Sequence, residues 1–126
     1  MLCARLAQEK QASNLLILDL GEIEAAPADY FVIVSVDSEA QLKAVSDHVE
    51  SSVKEIGLGS PRTEGRGTSS WVILDYFDVV MHIMVATTRD FYKLERLWGD
   101  AKAYTLTEKG AAKATTLTSK RTVAKL

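Results

Sequence analysis

Two aspartates and a histidine, Asp75, Asp78 and His82, fall within one eight-residue stretch. Carboxylates with an imidazole form a donor set for a divalent cation, and such a site would suit metal-dependent nucleotidyl transfer or phosphoester chemistry. Side chains alternate along a strand, so Asp78 and His82 share a face only if one strand holds both. A two-residue turn at Phe77-Asp78 instead pairs Ile73 with His82 and puts Asp75 on the histidine's face, two rungs away. Three convergent ligands therefore need a favourable register. The plainer reading gives Asp75 and Asp78 to the turn and gives His82 a hydrogen bond on a sheet face.

Other reactive groups offer less. Cys3 is the single cysteine, with no histidine near it in sequence and no helix N-terminus placed to lower its pKa. It also excludes a disulfide within the chain and a multi-cysteine zinc site. His48 lies beside Asp47 within an apolar stripe at 45, 49 and 53, which makes it a core-edge residue. There is no G-x-S-x-G elbow. Gly57-Leu58-Gly59 and Gly65-Arg66-Gly67-Thr68 precede no helix with a lysine at P-loop spacing, and both read as connectors.

The elements that must carry these residues follow from periodicity. Residues 1–12 suit a short helix, and Leu15–Leu20 a buried strand stopped by Gly21. Tyr30–Val36 is β-branched and aromatic, the clearest central strand. Ser38 and Gln41 fit a capping box, and Leu42, Val45, Val49, Val53 and Ile56 form one helical stripe ended by Gly57. Residues 57–70 hold four of the seven glycines and read as loop, with a short edge strand at Arg62–Glu64. Trp71–Tyr76 and Asp78–Ala86 read as a hairpin turning at Phe77. After a cap at Thr87 or Thr88, Phe91, Leu94, Leu97 and Trp98 recur at helical spacing up to Gly99. A strand–helix–strand unit followed by a hairpin implies an α/β fold with a mixed β-sheet and helices on its faces.

With 126 residues, 47% of them hydrophobic and 25% charged, the chain has the composition of one folded domain. No apolar run approaches the ~20 residues of a membrane span, and no secretory signal is evident, so a cytoplasmic protein without membrane contact is expected. The net charge of −2 conceals an asymmetry. Residues 1–108 carry all 17 acids against ten basic residues, net −7, whereas 109–126 carry five basic residues and no acid. The domain is therefore assigned to 1–108. The basic remainder, 109–126, has no sustained apolar face and reads as a disordered tail able to make a weak, sequence-independent RNA contact. An acidic domain lacking paired sheet aromatics does not suit RNA recognition of its own.

Seven of the nine aromatic residues lie between Trp71 and Tyr104. On the hairpin, Trp71, Ile73 and Asp75 point one way and Val72, Leu74 and Tyr76 the other. If one face is exposed, Trp71 or Tyr76 becomes a surface aromatic, a common interface anchor. The alternative is that the rings fill gaps between helix and sheet.

Two motifs then stand out together. Trp71–His82 reads Trp-x-x-x-Asp-Tyr-x-Asp-x-Val-x-His, and Arg89–Trp98 reads Arg-x-Phe-Tyr-x-Leu-Glu-x-Leu-Trp. With Asp29–Val34 and Glu64-Gly65 in the same order and spacing, the chain over about 2–101 closely resembles the ribosome-silencing factor (Iojap-like) family. The resemblance implies a nucleotidyltransferase-like topology with no active-site motif, no catalysis and no cofactor. It implies a translational repressor that binds large-subunit ribosomal protein fourteen, blocks joining of the small subunit and lowers translation under nutrient limitation. Trp71, Leu74, Asp75, Tyr76 and Asp78 match the family's partner surface, with Tyr92 and Trp98 of the aromatic helix extending it. A homodimer is also implied. The alternative remains the metal-dependent enzyme built on Asp75, Asp78 and His82.

The chain departs from the family pattern at Phe77, where glycine is usual. Glycine permits positive φ at the first central position of a tight hairpin. Phenylalanine there requires a longer loop, or a ring held by packing against a neighbour or a partner. A second departure, Ser35-Val36-Asp37-Ser38, lies away from the implied interface.

Overall fold

The computed structural model describes residues 1–67 and 70–116. In chain order the elements are α1 (Leu2–Glu9), β1 (Ser13–Asp19), β2 (Tyr30–Val36), α2 (Glu39–Glu55), β3 (Arg62–Glu64), β4 (Trp71–Asp75), β5 (Val79–Val85) and α3 (Ala86–Tyr92). A 3-10 turn at Leu94–Trp98, β6 (Lys102–Leu106) and β7 (Ala112–Thr115) complete them. The strands form one mixed sheet in the order β3-β4-β5-β2-β1-β6-β7. Among the described residues only β2 and β5 run parallel, the α2 segment crossing over between them. The expected α/β fold with a mixed sheet is the fold observed.

Central position explains the sequence of β2: Phe31 through Val36 are all buried, as a strand covered on both faces requires. One face sets Val32, Val34, Leu74, Met81 and Ile83 against Ala4 and Ala7 of α1 and Val45 and Val49 of α2. On the other, Leu18, Phe31, Ile33 and Met84 lie beneath Leu94 and Trp98 and beneath Ile23 and Ala26 of the β1–β2 loop. Covering is thus by full helices on one side and by short segments on the other.

Local signals hold α2 as expected. Ser38 Oγ accepts the Gln41 N–H at 3.1 Å, and Gln41 Oε1 reaches back to accept the Asp37 N–H at 2.7 Å. Gln41 Nε2 also donates to the Lys10 and Gln11 carbonyls, tying the end of α1 to the start of α2. At the far end Gly57 has φ +85, while the Gly57 and Leu58 N–H groups donate to the Lys54 and Val53 carbonyls. Ile56, expected in the buried stripe, is 59% exposed because the helix ends before it.

Two further expectations are corrected. The apolar spacing at Phe91, Leu94, Leu97 and Trp98 does not describe one helix: α3 stops at Tyr92, and Lys93 adopts φ +48. Nor is everything after 108 a loose tail. The backbone turns through Gly110 at φ +83, and Ala112–Thr115 adds β7 as an edge strand on β6. Its four residues are exposed, so pairing rests on backbone hydrogen bonds, which an apolar-pattern reading does not register. Residues 117–126, the rest of that tail, lie outside the described residues.

Candidate functional site

His82 sits mid-β5 opposite Ile73, the pairing that a two-residue turn requires. It is buried, and its Nδ1 lies 3.2 Å from Trp71 Nε1. The indole N–H can only donate, so Nδ1 accepts and the proton of the neutral ring sits on Nε2. Burial pushes the imidazole pKa down from 6.5 to about 4, so the ring is neutral at physiological pH.

This histidine is the middle of a file of rings across the sheet face. Trp98 meets Phe31 edge-on at 5.6 Å, Phe31 meets His82 at 4.8 Å, and His82 meets Trp71 at 5.9 Å. Trp71 then meets Tyr92 at 5.2 Å, and Tyr92 meets Phe91 edge-on at 5.0 Å. The file begins in the core and ends at the surface, where Phe91 and Tyr92 are 78% and 58% exposed. Beside its outer end, Glu64, Ser70, Trp71, Ile73, Thr88 and Tyr92 line a shallow cavity of about 300 Å³.

The cation site does not assemble. Asp75 Oδ1 accepts the Phe77 N–H at 2.8 Å within the turn, and Asp78 is exposed beyond it. The lone pair of His82 is engaged by Trp71, leaving Nε2 as an N–H that cannot ligate a metal. Among the described residues no three acidic, histidine or cysteine side chains gather in ligand geometry. Cys3 is buried, and that burial pushes its thiol up to about 11, far from a reactive thiolate. His48 is a clasp between helices, its Nε2 lying 2.9 Å from Glu9 Oε1.

The residues expected to meet a partner fall into three places. Trp71, Tyr92 and Trp98 belong to the ring file, with Trp98 at its inner end. Asp75 and Asp78 mark the hairpin tip, about 13 Å along β4 from Trp71 at ~3.3 Å per residue. Leu74 and Tyr76 are on the opposite face: Leu74 is fully buried, and Tyr76 packs on the α1/α2 core. Leu74 therefore offers no contact surface. The Tyr76 hydroxyl is buried without a hydrogen-bond partner among the described residues, and desolvation pushes its pKa up to about 12.

Residues not singled out as contacts complete the outer surface. Phe91 and Leu97 were read into an inward stripe, yet they point out, Leu97 being 72% exposed. A polar lock explains this. Arg89 Nη1 donates to Ser35 Oγ at 3.0 Å and to the Asn14 carbonyl, and its Nε lies 3.6 Å from Glu95 Oε1. Asn14 reaches that position at φ +47, within an irregular stretch of β1. Arg89 so fastens α3 to β1 and β2, leaving Phe91, Tyr92 and Leu97 outside. One sequence signal bears on this: Arg89 and Glu95 flank Phe91 and Tyr92.

Comparison with known proteins follows the same lines. The family model described as "Ribosomal silencing factor during starvation" matches residues 1–125. The ribosomal silencing factor RsfS of Bacillus subtilis is 35% identical over 100 residues, covering 79% of this chain and 84% of that protein. A mouse protein named mitochondrial assembly of ribosomal large subunit protein 1 is 32% identical over 101 residues, 78% of this chain and 43% of its own length. A crystal structure of a Chromobacterium violaceum protein superposes with a TM-score of 0.73 at 27% identity, covering 90% of each chain. A Bacillus halodurans structure gives 0.68 at 31% identity, over 77% of this chain and 90% of that one. The chain belongs to the ribosomal silencing factor family.

Proposed function

We propose that this protein is a ribosome-associated regulator of translation that binds the large subunit at ribosomal protein fourteen and prevents the small subunit from joining by occupying its docking face. The observation that supports it is the outward end of the ring file. Phe91, Tyr92 and Leu97 stand exposed on a segment fastened by a buried arginine, with Trp71 behind them. Exposed apolar residues on a rigid support are what a protein interface uses for anchors. A specific interface takes about 800 Å² from each partner, which this face and the neighbouring hairpin can supply.

Charge favours the same partner class. The net −7 of residues 1–108 complements a basic ribosomal protein and opposes bare RNA. Steric exclusion needs no catalytic group. Self-association through the same apolar face would account for a homodimer, with subunit binding and dimerisation then exclusive of one another. Co-sedimentation of purified protein with large subunits tests the reading. Binding should persist with small subunits absent, and preincubation should suppress formation of joined ribosomes. Joined ribosomes at the untreated level, with protein present in excess, would contradict it.

A further inference from the structure

The hairpin tip is built around a residue that gives the fold almost nothing. Phe77 has φ +75 and is 84% exposed. The Asp78 N–H donates to the Tyr76 carbonyl at 3.0 Å, closing a γ-turn around Phe77, and the Tyr76 N–H donates to the Val79 carbonyl at 2.9 Å. The Phe77 N–H itself donates to Asp75 Oδ1 at 2.8 Å. Three hydrogen bonds thus hold a bulky residue in a conformation natural to glycine.

Of the four other non-glycine residues at positive φ, three have uses inside the molecule, and the fourth, the small and exposed Ala25, lies in the β1–β2 loop. The Gln11 carbonyl accepts from Gln41, the Asn14 carbonyl accepts from Arg89, and Lys93 breaks the helix so that Glu95 can reach Arg89. Phe77 returns no comparable contact. Its ring projects from the tip, outside both core clusters. The tight turn itself calls for positive φ, which glycine would supply without strain, so a phenylalanine there points to a use for its ring outside the fold.

We infer that Phe77 is an interface anchor: its ring seats in an apolar cleft, rimmed by lysine or arginine, on the protein that this chain binds on the large subunit. The inference rests on the large-subunit reading above and adds a contact to it, on the same hairpin as Trp71. Flanking charge selects the occupant. Asp75 and the exposed Asp78 bracket the ring, on a fold whose residues 1–116 carry 17 acidic and 12 basic residues, net −5. Carboxylates beside an inserted aromatic favour a basic rim, disfavour an anionic membrane surface and repel the same tip of a second copy.

The test compares wild type with Phe77→Gly and Phe77→Asn, both of which tolerate positive φ. Binding to purified large subunits is measured by co-sedimentation, alongside Tm, oligomeric state by light scattering, and flotation with vesicles containing phosphatidylglycerol. Both variants should bind subunits about 30-fold more weakly. Neither should lower Tm, because the turn is relieved and no core contact is lost. Wild-type binding with undiminished variant binding would overturn the anchor while leaving the large-subunit reading intact. Failure of wild type itself to co-sediment would overturn both. A marked fall in Tm would make Phe77 a fold residue, and loss confined to vesicle flotation or to a dimer would assign the ring to lipid or to a second copy.

Discussion

Arg89 and Glu95 meet at 3.6 Å although they stand six positions apart, and the chain achieves this by breaking its helix at Lys93. In an unbroken helix two residues six apart lie about 240° from one another around the axis. The left-handed Lys93 and the 3-10 turn after it bring them together, with Leu94 and Trp98 turned down onto the sheet. Both side chains are largely buried, and burial lowers the pKa of Arg89 while the Glu95 carboxylate raises it.

Removing one partner of such a pair strands the other. Arg89→Met should lower stability by about 3 kcal/mol, whereas adding Glu95→Met should recover much of that loss. Urea denaturation of the two variants checks this. Equal losses in the single and double variants would show that the pair is not coupled.

The burial of His82 predicts a pH dependence. With a folded pKa of about 4 against 6.5 when unfolded, the unfolded chain takes up the proton first as pH falls. Stability is unaffected above pH 6.5 and falls between 6.5 and 4, by roughly 3 kcal/mol in total. NMR titration should find His82 neutral down to about pH 4. The loss of stability on acidification should be smaller in His82→Phe.

How much of this could be read beforehand varies with the kind of signal. The α2 caps and the β2 strand follow from local chemistry and appear as expected, and of the registers open to the hairpin the structure takes the Ile73–His82 one. The helix break at Lys93 does not follow from local chemistry, because Phe91, Leu94 and Trp98 keep helical spacing while a tertiary ion pair overrides it. Edge strand β7 pairs through its backbone and needs no apolar pattern, and in the five-residue β6 only Ala103 is buried, which leaves a faint one. At the site, strand alternation puts Trp71 on one face of the hairpin and Leu74 and Tyr76 on the other, but does not state which of the two faces meets a helix layer.

That separation changes what a Tyr76 variant should do. Tyr76→Ala would disturb the core, so it is a poor probe of binding. Tyr76→Phe removes a buried hydroxyl that has no partner among the described residues. It should leave stability unchanged or raise it by up to about 1 kcal/mol, with subunit binding intact. A loss of stability in thermal melts would mean that the hydroxyl is satisfied in solution.

The exposed α3 face gives the complementary probe. Tyr92→Ala and Leu97→Ser alter side chains that are 58% and 72% exposed, so Tm should hold within about 2 °C. Subunit affinity should fall, by about 30-fold for the aromatic anchor. Circular dichroism and co-sedimentation on the same samples separate folding from binding.

The central claim is tested most directly by a sucrose-gradient assay of subunit joining with purified protein. Wild type should leave free subunits where untreated mixtures form joined ribosomes, with the protein travelling in the large-subunit peak, and Tyr92→Ala should restore joining. Undiminished joining with wild type bound, or inhibition that survives Tyr92→Ala, Leu97→Ser and Phe77→Gly together, would contradict steric exclusion by this surface.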